Sequence, residues 1–165
     1  MIGAVHLTGL WQIVFWGIIA TAVMTTLLEG AQLLGFSRMS LPFLFGTFVT
    51  DRRDRAMVYG FLLYSAGGLL FAFFYAAGFY TVGISSWWLG TIMGLFHGLF
   101  LITVFLPLLP HIHPRMATEY DGPTSHRRLE PPGPFGTHYG RRTPFVTVLS
   151  QMVFGLILGA AIAVH

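Results

Sequence analysis

Residues 87–109 read WWLGTIMGLFHGLFLITVFLPLL, an apolar segment that contains no Asp, Glu, Lys or Arg. About 20 helical residues cross the hydrocarbon core of a bilayer, so this segment is long enough to span a membrane. It lacks the alternation of polar and apolar residues that marks a half-buried β-strand, and a helix satisfies all of its own backbone hydrogen bonds in lipid. The segment therefore predicts a transmembrane helix.

Three further apolar segments of similar length lie at 9–34, 57–83 and 144–164. Of the 165 residues, 55% are hydrophobic and only 9% are charged, and the mean hydropathy is +0.71. Soluble domains are about 45–50% apolar and about 25% charged, so the composition argues against an ordinary soluble enzyme and against a disordered chain. The sequence predicts an all-α transmembrane four-helix bundle that forms a single integral membrane domain over 1–165.

The arginines determine the predicted orientation of the four spans. All nine basic residues are arginines, and they fall in two loops, 35–56 and 110–143. Four spans place these two loops on the same side of the membrane, and the positive-inside rule assigns that side to the cytoplasm. Both termini are then predicted to be periplasmic. The net charge of +3 follows from this topology, so no nucleic-acid partner is expected.

The two cytoplasmic loops differ in character. Ser40 and Pro42 predict the start of a short helix over 40–50, which is too short to span and is expected to lie at the cytoplasmic interface or to pack under the bundle. The charged run 51–55 is expected to be a solvated anchor, with a lipid headgroup site as the alternative. The loop 111–142 is rich in proline, which excludes long helices, and we expect it to fold back on the bundle.

Small residues spaced four apart mark a face on each span, because such positions share one side of a helix. On the third span these are Gly90, Gly94 and Gly98, and on the fourth they include Gly155 and Gly159. In lipid, small residues allow helices to approach closely, so these stripes predict the inner seam of a tight bundle.

Aromatic residues predict which parts of the spans meet the bilayer surface. An aromatic belt is expected near the outer ends of the first three spans, at Trp11, Trp16, Tyr80, Trp87 and Trp88. The large aromatic residues of the second span, Phe71, Phe74 and Tyr75, are expected to face lipid or to fill space.

Each span contributes one polar residue to the cytoplasmic half or the middle of the bilayer: Glu29, Tyr64, His97 and Gln151. One interpretation is a protonatable site in which Glu29 and His97 titrate and the other two bridge them, as in membrane proton relays. The alternative is a hydrogen-bond network that fixes helix register. A direct pair is disfavoured, since Glu29 and His97 differ in depth by about 9 Å.

His111 and His113 form an H-x-H pair, and the same loop carries His126 and His138 with Glu119, Asp121 and Glu130. Imidazole and carboxylate groups suit zinc or another divalent ion, so a metal site at His111 and His113 is one hypothesis. Solvated or interfacial histidines are the alternative. Haem bound by His97 is disfavoured, because no other span carries a histidine at a similar depth. The sequence thus requires no cofactor.

Several short motifs occur together along the chain, at 37–42, 46–47, 86–90, 97–98, 113–116, 129–133, 139–140 and 143–144. They read SRMSLP, GT, SWWLG, HG, HPRM, LEPPG, YG and TP. In this order the motifs resemble a group of small bacterial four-span membrane proteins to which no activity is assigned. The resemblance implies a location in the bacterial inner membrane and four spans, and it implies no substrate and no catalytic residue.

Three functions remain open from the sequence. The first is a non-enzymatic accessory or structural subunit of a larger membrane assembly, with a protein partner or a second copy of the chain. The second is a small oligomeric transporter or proton-coupled permease that uses Glu29 and His97. The third is a protein that binds a metal or a lipid headgroup through residues 111–142.

Overall fold

Six α-helices follow one another in the computed structural model, which describes residues 2–118 and 122–163; no β-strand occurs in those ranges. The helices are α1 (Ile2–Leu33), α2 (Leu41–Val49), α3 (Arg53–Val82), α4 (Trp87–Phe100), α5 (Leu106–Ile112) and α6 (Thr143–Ala161). A π-helical turn, Leu101–Phe105, joins α4 to α5, and a short 3-10 segment, Pro134–Tyr139, precedes α6.

Four helical segments are long and apolar enough to cross a membrane: Gly9–Leu33, Arg53–Val82, Trp87–Ile112 and Thr143–Ala161. The prediction of an all-helical chain with four such segments is therefore confirmed. The predicted bounds differ from these by no more than about one helical turn. Val164, which the sequence placed in the fourth segment, lies outside the described residues.

The helix α2 packs antiparallel against the first turns of α3. Ser40 is its N-cap and accepts a hydrogen bond from the amide of Phe43, as the sequence predicts. A Cβ added to Gly46 would lie 1.7 Å from the carbonyl oxygen of Ala56, and one added to Gly60 would lie 1.7 Å from that of Pro42. Glycine at both positions is what allows the two backbones to touch.

The third span contains a wider turn. The amide of Leu106 donates to the carbonyl oxygen of Leu101, five residues earlier, and Pro107, which has no amide hydrogen, follows directly. Single π-turns of this kind occur frequently at functional sites. The turn shifts the register of α5 relative to α4 and brings Leu101 and Phe105 onto the wall of a cavity.

The pattern of contacts between the helices explains where that cavity lies. The most extensive helix contact is that of α4 with α6; α1 packs on α6 and on α3, and α2 packs on α3. The backbones of α3 and α4 scarcely approach each other, although the two helices are consecutive. Aromatic side chains fill part of the space between them, and the remainder is open.

Candidate functional site

The glycines that the sequence assigns to a packing face lie between α4 and α6. A Cβ added to Gly90 would lie 2.0 Å from the carbonyl oxygen of Gly155, and one added to Gly94 would lie 2.3 Å from that of Gln151. Gly98 and Gly159 make similarly close approaches to the opposite backbone. This contact, here called the glycine seam, brings Gln151 of α6 toward the middle of the bundle.

A cavity of about 260 Å³ lies between α3 and α4, with α6 behind it. Its wall is largely aromatic and includes Phe71 and Phe105. Three of the four polar residues predicted to form an intramembrane cluster also line it, namely Tyr64, His97 and Gln151. The structure therefore brings these three side chains around one space, here called the α3–α4 cavity.

Three buried polar atoms have no hydrogen-bond partner among the described residues. The Tyr64 hydroxyl and the side-chain oxygen of Gln151 belong to residues that line this cavity, and the third is the hydroxyl of Thr147, one turn before Gln151 on α6. Tyr64 is only 6% exposed and Gln151 only 3% exposed. A buried polar atom without a partner costs about 1–3 kcal/mol, so three together require an explanation. Packing of the helices does not account for these buried polar groups, since apolar side chains would fill the same space without this cost.

His97 interacts with α3 and does not interact with Glu29. Its Nδ1 atom lies 3.3 Å from the Tyr75 hydroxyl, and its ring stacks on Phe71 with the centroids 4.0 Å apart. Tyr75 is 3% exposed, so it does not face lipid; it fills space in the core, as the other branch of the expectation has it, and its hydroxyl also reaches His97. Phe74, by contrast, is on the outer surface. The contact between Tyr75 and His97 could not be predicted from the sequence, because it joins two helices.

Glu29 belongs to α1, and its carboxylate lies beside the start of α2. Its carboxylate is 3.3 Å from the side-chain nitrogen of Gln32 and 3.4 Å from the Ser40 hydroxyl. The positive end of the α2 helix dipole favours a negative charge there. No hydrogen bond or ion pair joins Glu29 to His97, in line with the expectation that the two residues do not pair directly.

His113 connects the long loop to α2. It is 2% exposed, and its Nδ1 atom accepts a hydrogen bond of 3.1 Å from the amide of Arg115. The hydrogen therefore sits on Nε2, which lies 3.1 Å from both the Leu44 carbonyl oxygen and the Thr47 hydroxyl. Burial lowers the pKa of His113, and the nearby Arg115 charge lowers it further, while the bond to Leu44 opposes them. The ring is thus held neutral.

This geometry does not favour the predicted metal site at His111 and His113. Both nitrogens of His113 are engaged in hydrogen bonds, and His111 is exposed in a separate groove. No group of three or more His, Asp or Glu that could hold a metal occurs in the described part of the chain. Glu119 and Asp121 lie outside that part.

Arg115 fastens the same loop to the end of α2. Its guanidinium donates to the carbonyl oxygens of Thr47 and Phe48, the latter at 3.1 Å. These carbonyls belong to the last turn of α2, where no further helical amide satisfies them and where a cation is favoured. Together, His113 and Arg115 hold α2 along two of its turns.

Residues 129–140 pack against the connection between α1 and α2. The Arg38 amide donates to the Tyr139 carbonyl oxygen at 2.6 Å, and the Arg38 guanidinium forms an ion pair of 3.4 Å with Glu130. The Tyr139 hydroxyl donates to the Glu130 carbonyl oxygen at 2.6 Å, and burial raises the Tyr139 pKa, so this hydroxyl keeps its hydrogen. Ser37 and Thr143 share a buried hydrogen bond of 2.9 Å.

Comparison of the chain with family models, with curated proteins and with solved structures finds no match to any of them. The site is therefore interpreted from its own geometry. Several motifs that carry the resemblance contact one another where the two arginine-bearing loops meet. They are the motifs at 37–42, 46–47, 113–116, 129–133 and 139–140.

Proposed function

We propose that the chain is a four-span protein of a bacterial inner membrane, related to the group of small proteins that its motifs resemble. Both arginine-bearing loops are placed in the cytoplasm and both termini in the periplasm, with α2 at the cytoplasmic interface. The division of the arginines supports this orientation. The hydrogen bonds between the two loops, such as those of Arg38 with Tyr139 and of His113 with Leu44, are consistent with their lying on one side.

Within this membrane, the proposed role is retention of a small lipid-soluble molecule by a non-enzymatic accessory subunit of a larger assembly. The α3–α4 cavity is the observation that supports it. An apolar cavity of about 150 Å³ is enough to bind benzene, so about 260 Å³ accommodates a substituted ring or a short branched chain. Because α3 and α4 are loosely packed, such a molecule would enter sideways from the bilayer.

Gly67 offers a direct test of ligand retention. It lines the α3–α4 cavity, and a Cβ added to it would meet nothing within 4 Å, so Gly67→Leu fills the cavity without a clash at its first carbon. The protein is purified from native membranes in mild detergent, and organic extracts are analysed by mass spectrometry together with an absorbance scan. The expected result is one compound other than a phospholipid per chain in the wild type and its loss in Gly67→Leu.

The matched control is Gly30→Leu, a second open helical glycine that lies outside this cavity and should leave the compound bound. A compound retained equally by Gly67→Leu, or none in the wild type, contradicts retention in the cavity. Proteins recovered in the same purification test the accessory role: a stoichiometric partner supports it, and a chain that is always recovered alone argues against it.

A small oligomeric transporter or proton-coupled permease is the second candidate. The Tyr64 hydroxyl and the Gln151 side-chain oxygen favour it, because both are buried on the wall of the α3–α4 cavity without a hydrogen-bond partner and could interact with a transported proton or polar solute. In proteoliposomes with a trapped pH indicator, Glu29→Gln should abolish a pH-dependent flux. Glu130→Gln, which removes a half-exposed carboxylate in the long loop, should leave the flux intact. Wild-type flux in Glu29→Gln would exclude this candidate.

A further inference from the structure

A groove of about 540 Å³ runs between the second half of α1 and the first half of α6. It is separate from the α3–α4 cavity and shares no lining residue with it. One end is bordered by Arg141 and Arg142, and the rest of the wall is mainly apolar. The groove therefore combines positive charge at one end with an apolar surface that follows the helices, here called the α1–α6 groove.

The arginine end is suited to an anion. Within the described residues, neither Arg141 nor Arg142 forms an ion pair, and the Arg142 guanidinium lies over the Phe36 ring, 4.7 Å from its centroid. The helix α6 begins at Thr143, whose amide donates to the Gly140 carbonyl oxygen, and the next residue, Pro144, has no amide hydrogen, so the two arginines are the groups that face an anion here. Two neighbouring guanidinium groups can bind a phosphate group through several charge-assisted hydrogen bonds.

The apolar end is suited to a hydrocarbon chain. Leu34 and Phe145 are each 69% exposed along the groove, and Leu27 and Leu149 continue it toward the middle of the membrane. Gly30 leaves a gap in this wall, since a Cβ added there would meet nothing within 4 Å. From Arg142 to Leu149 the helix rises about 10 Å, a distance over which an acyl chain lies beside it.

We propose that the α1–α6 groove binds one anionic phospholipid, with the phosphate on Arg141 and Arg142 and an acyl chain over Gly30. The positive charge at one end of the groove matches a phosphate group, and the apolar wall that follows the helices matches an acyl chain. A phospholipid in the leaflet on the side of the arginine-bearing loops presents both. Basic pockets between transmembrane helices select anionic headgroups in this way. The inference is independent of the proposed role of the α3–α4 cavity.

The test uses the full chain in nanodiscs made of equal parts of phosphatidylglycerol and phosphatidylcholine. The protein is released into mild detergent, and the lipid that remains bound is quantified by native mass spectrometry. The wild type should retain one phosphatidylglycerol per chain. The double variant R141Q/R142Q should lose it by about ten-fold or more. Gly30→Leu should lose it as well, because leucine occupies the path of the chain while both arginines remain.

Two controls separate this site from general electrostatics and from packing defects. R53Q/R55Q removes the same charge from the other loop, and Gly67→Leu makes the same substitution outside the groove; both should retain the lipid. Equal loss in R53Q/R55Q, or no preference for phosphatidylglycerol in the wild type, overturns the proposal. A change of oligomer size in Gly30→Leu without loss of lipid would assign the groove to a second copy and overturn it as well.

Discussion

Gly90 of α4 and Gly155 of α6 pack backbone against backbone: a Cβ added to either would lie 2.0 Å from the carbonyl oxygen of the other. No side chain can occupy that space unless the helices move apart. In lipid, helices gain nothing by hiding apolar surface from the solvent, so a close backbone approach of this kind favours helix association through van der Waals packing. The glycine seam also sets the position of Gln151 on the rear wall of the α3–α4 cavity.

Gly90→Ala is therefore expected to destabilise the protein by about 1–3 kcal/mol, the usual cost of overpacking, despite the better helix propensity of alanine. The free energy of unfolding is measured by denaturant titration in detergent, followed by tryptophan fluorescence. Gly67→Ala is the matched control, because its Cβ enters open space on a helix, and it should leave stability unchanged or raised. Equal stability of the two variants would show that the seam does not hold α4 to α6.

The buried neutral ring of His113 predicts a pH-dependent stability. Its pKa is lowered from the ordinary 6.5, so the unfolded chain binds a proton before the folded protein does. The contribution of His113 is thus fully present above pH 6.5 and is lost as the pH falls below that value. The slope approaches about 1.4 kcal/mol per pH unit, the limit for one proton. The free energy of unfolding is measured at a series of pH values, from neutral pH down to the lowest pH at which the protein stays soluble.

His113→Gln should flatten this dependence and lower stability at neutral pH, because the hydrogen bonds to Leu44 and Arg115 are altered. His111→Gln, a change at an exposed histidine, should keep the slope of the wild type. A slope that persists in His113→Gln would assign the pH dependence to another group.

The spans could be predicted from sequence because length and hydropathy are local properties. The small-residue stripe on the third span also lies where the helices meet. The partner of His97 could not be predicted, since Tyr75 lies on a different helix and its ring looks like an ordinary lipid-facing aromatic. The same holds for His113, whose H-x-H spacing suggests a metal while its actual partners lie on α2, far away in the chain. From the sequence one can predict how deep in the membrane a polar residue of a bundle lies, but not which residues of other helices it contacts.

Arg115→Gln is expected to release the end of α2 from the long loop. The variant loses charge-assisted bonds to the Thr47 and Phe48 carbonyl oxygens, each worth about 1.5–3 kcal/mol. Hydrogen exchange should then rise over Leu41–Val49 and stay low over the α4–α6 contact. Arg127→Gln, at an exposed arginine of the same loop, should leave exchange unchanged. Uniformly raised exchange throughout the chain would mean that Arg115 supports the whole fold instead.

The proposed orientation can be tested cleanly because the chain contains no cysteine. Ile84 is exposed in the turn between α3 and α4, and Ser125 is exposed in the long loop. Ile84→Cys should react with a membrane-impermeant maleimide in intact spheroplasts, because the positive-inside rule places this turn outside. Ser125→Cys should react only after permeabilisation, and the cysteine-free parent should not react in either case. The reverse pattern would invert the topology, and equal labelling of both cysteines in intact spheroplasts would contradict an arrangement that puts α4 across the membrane between them.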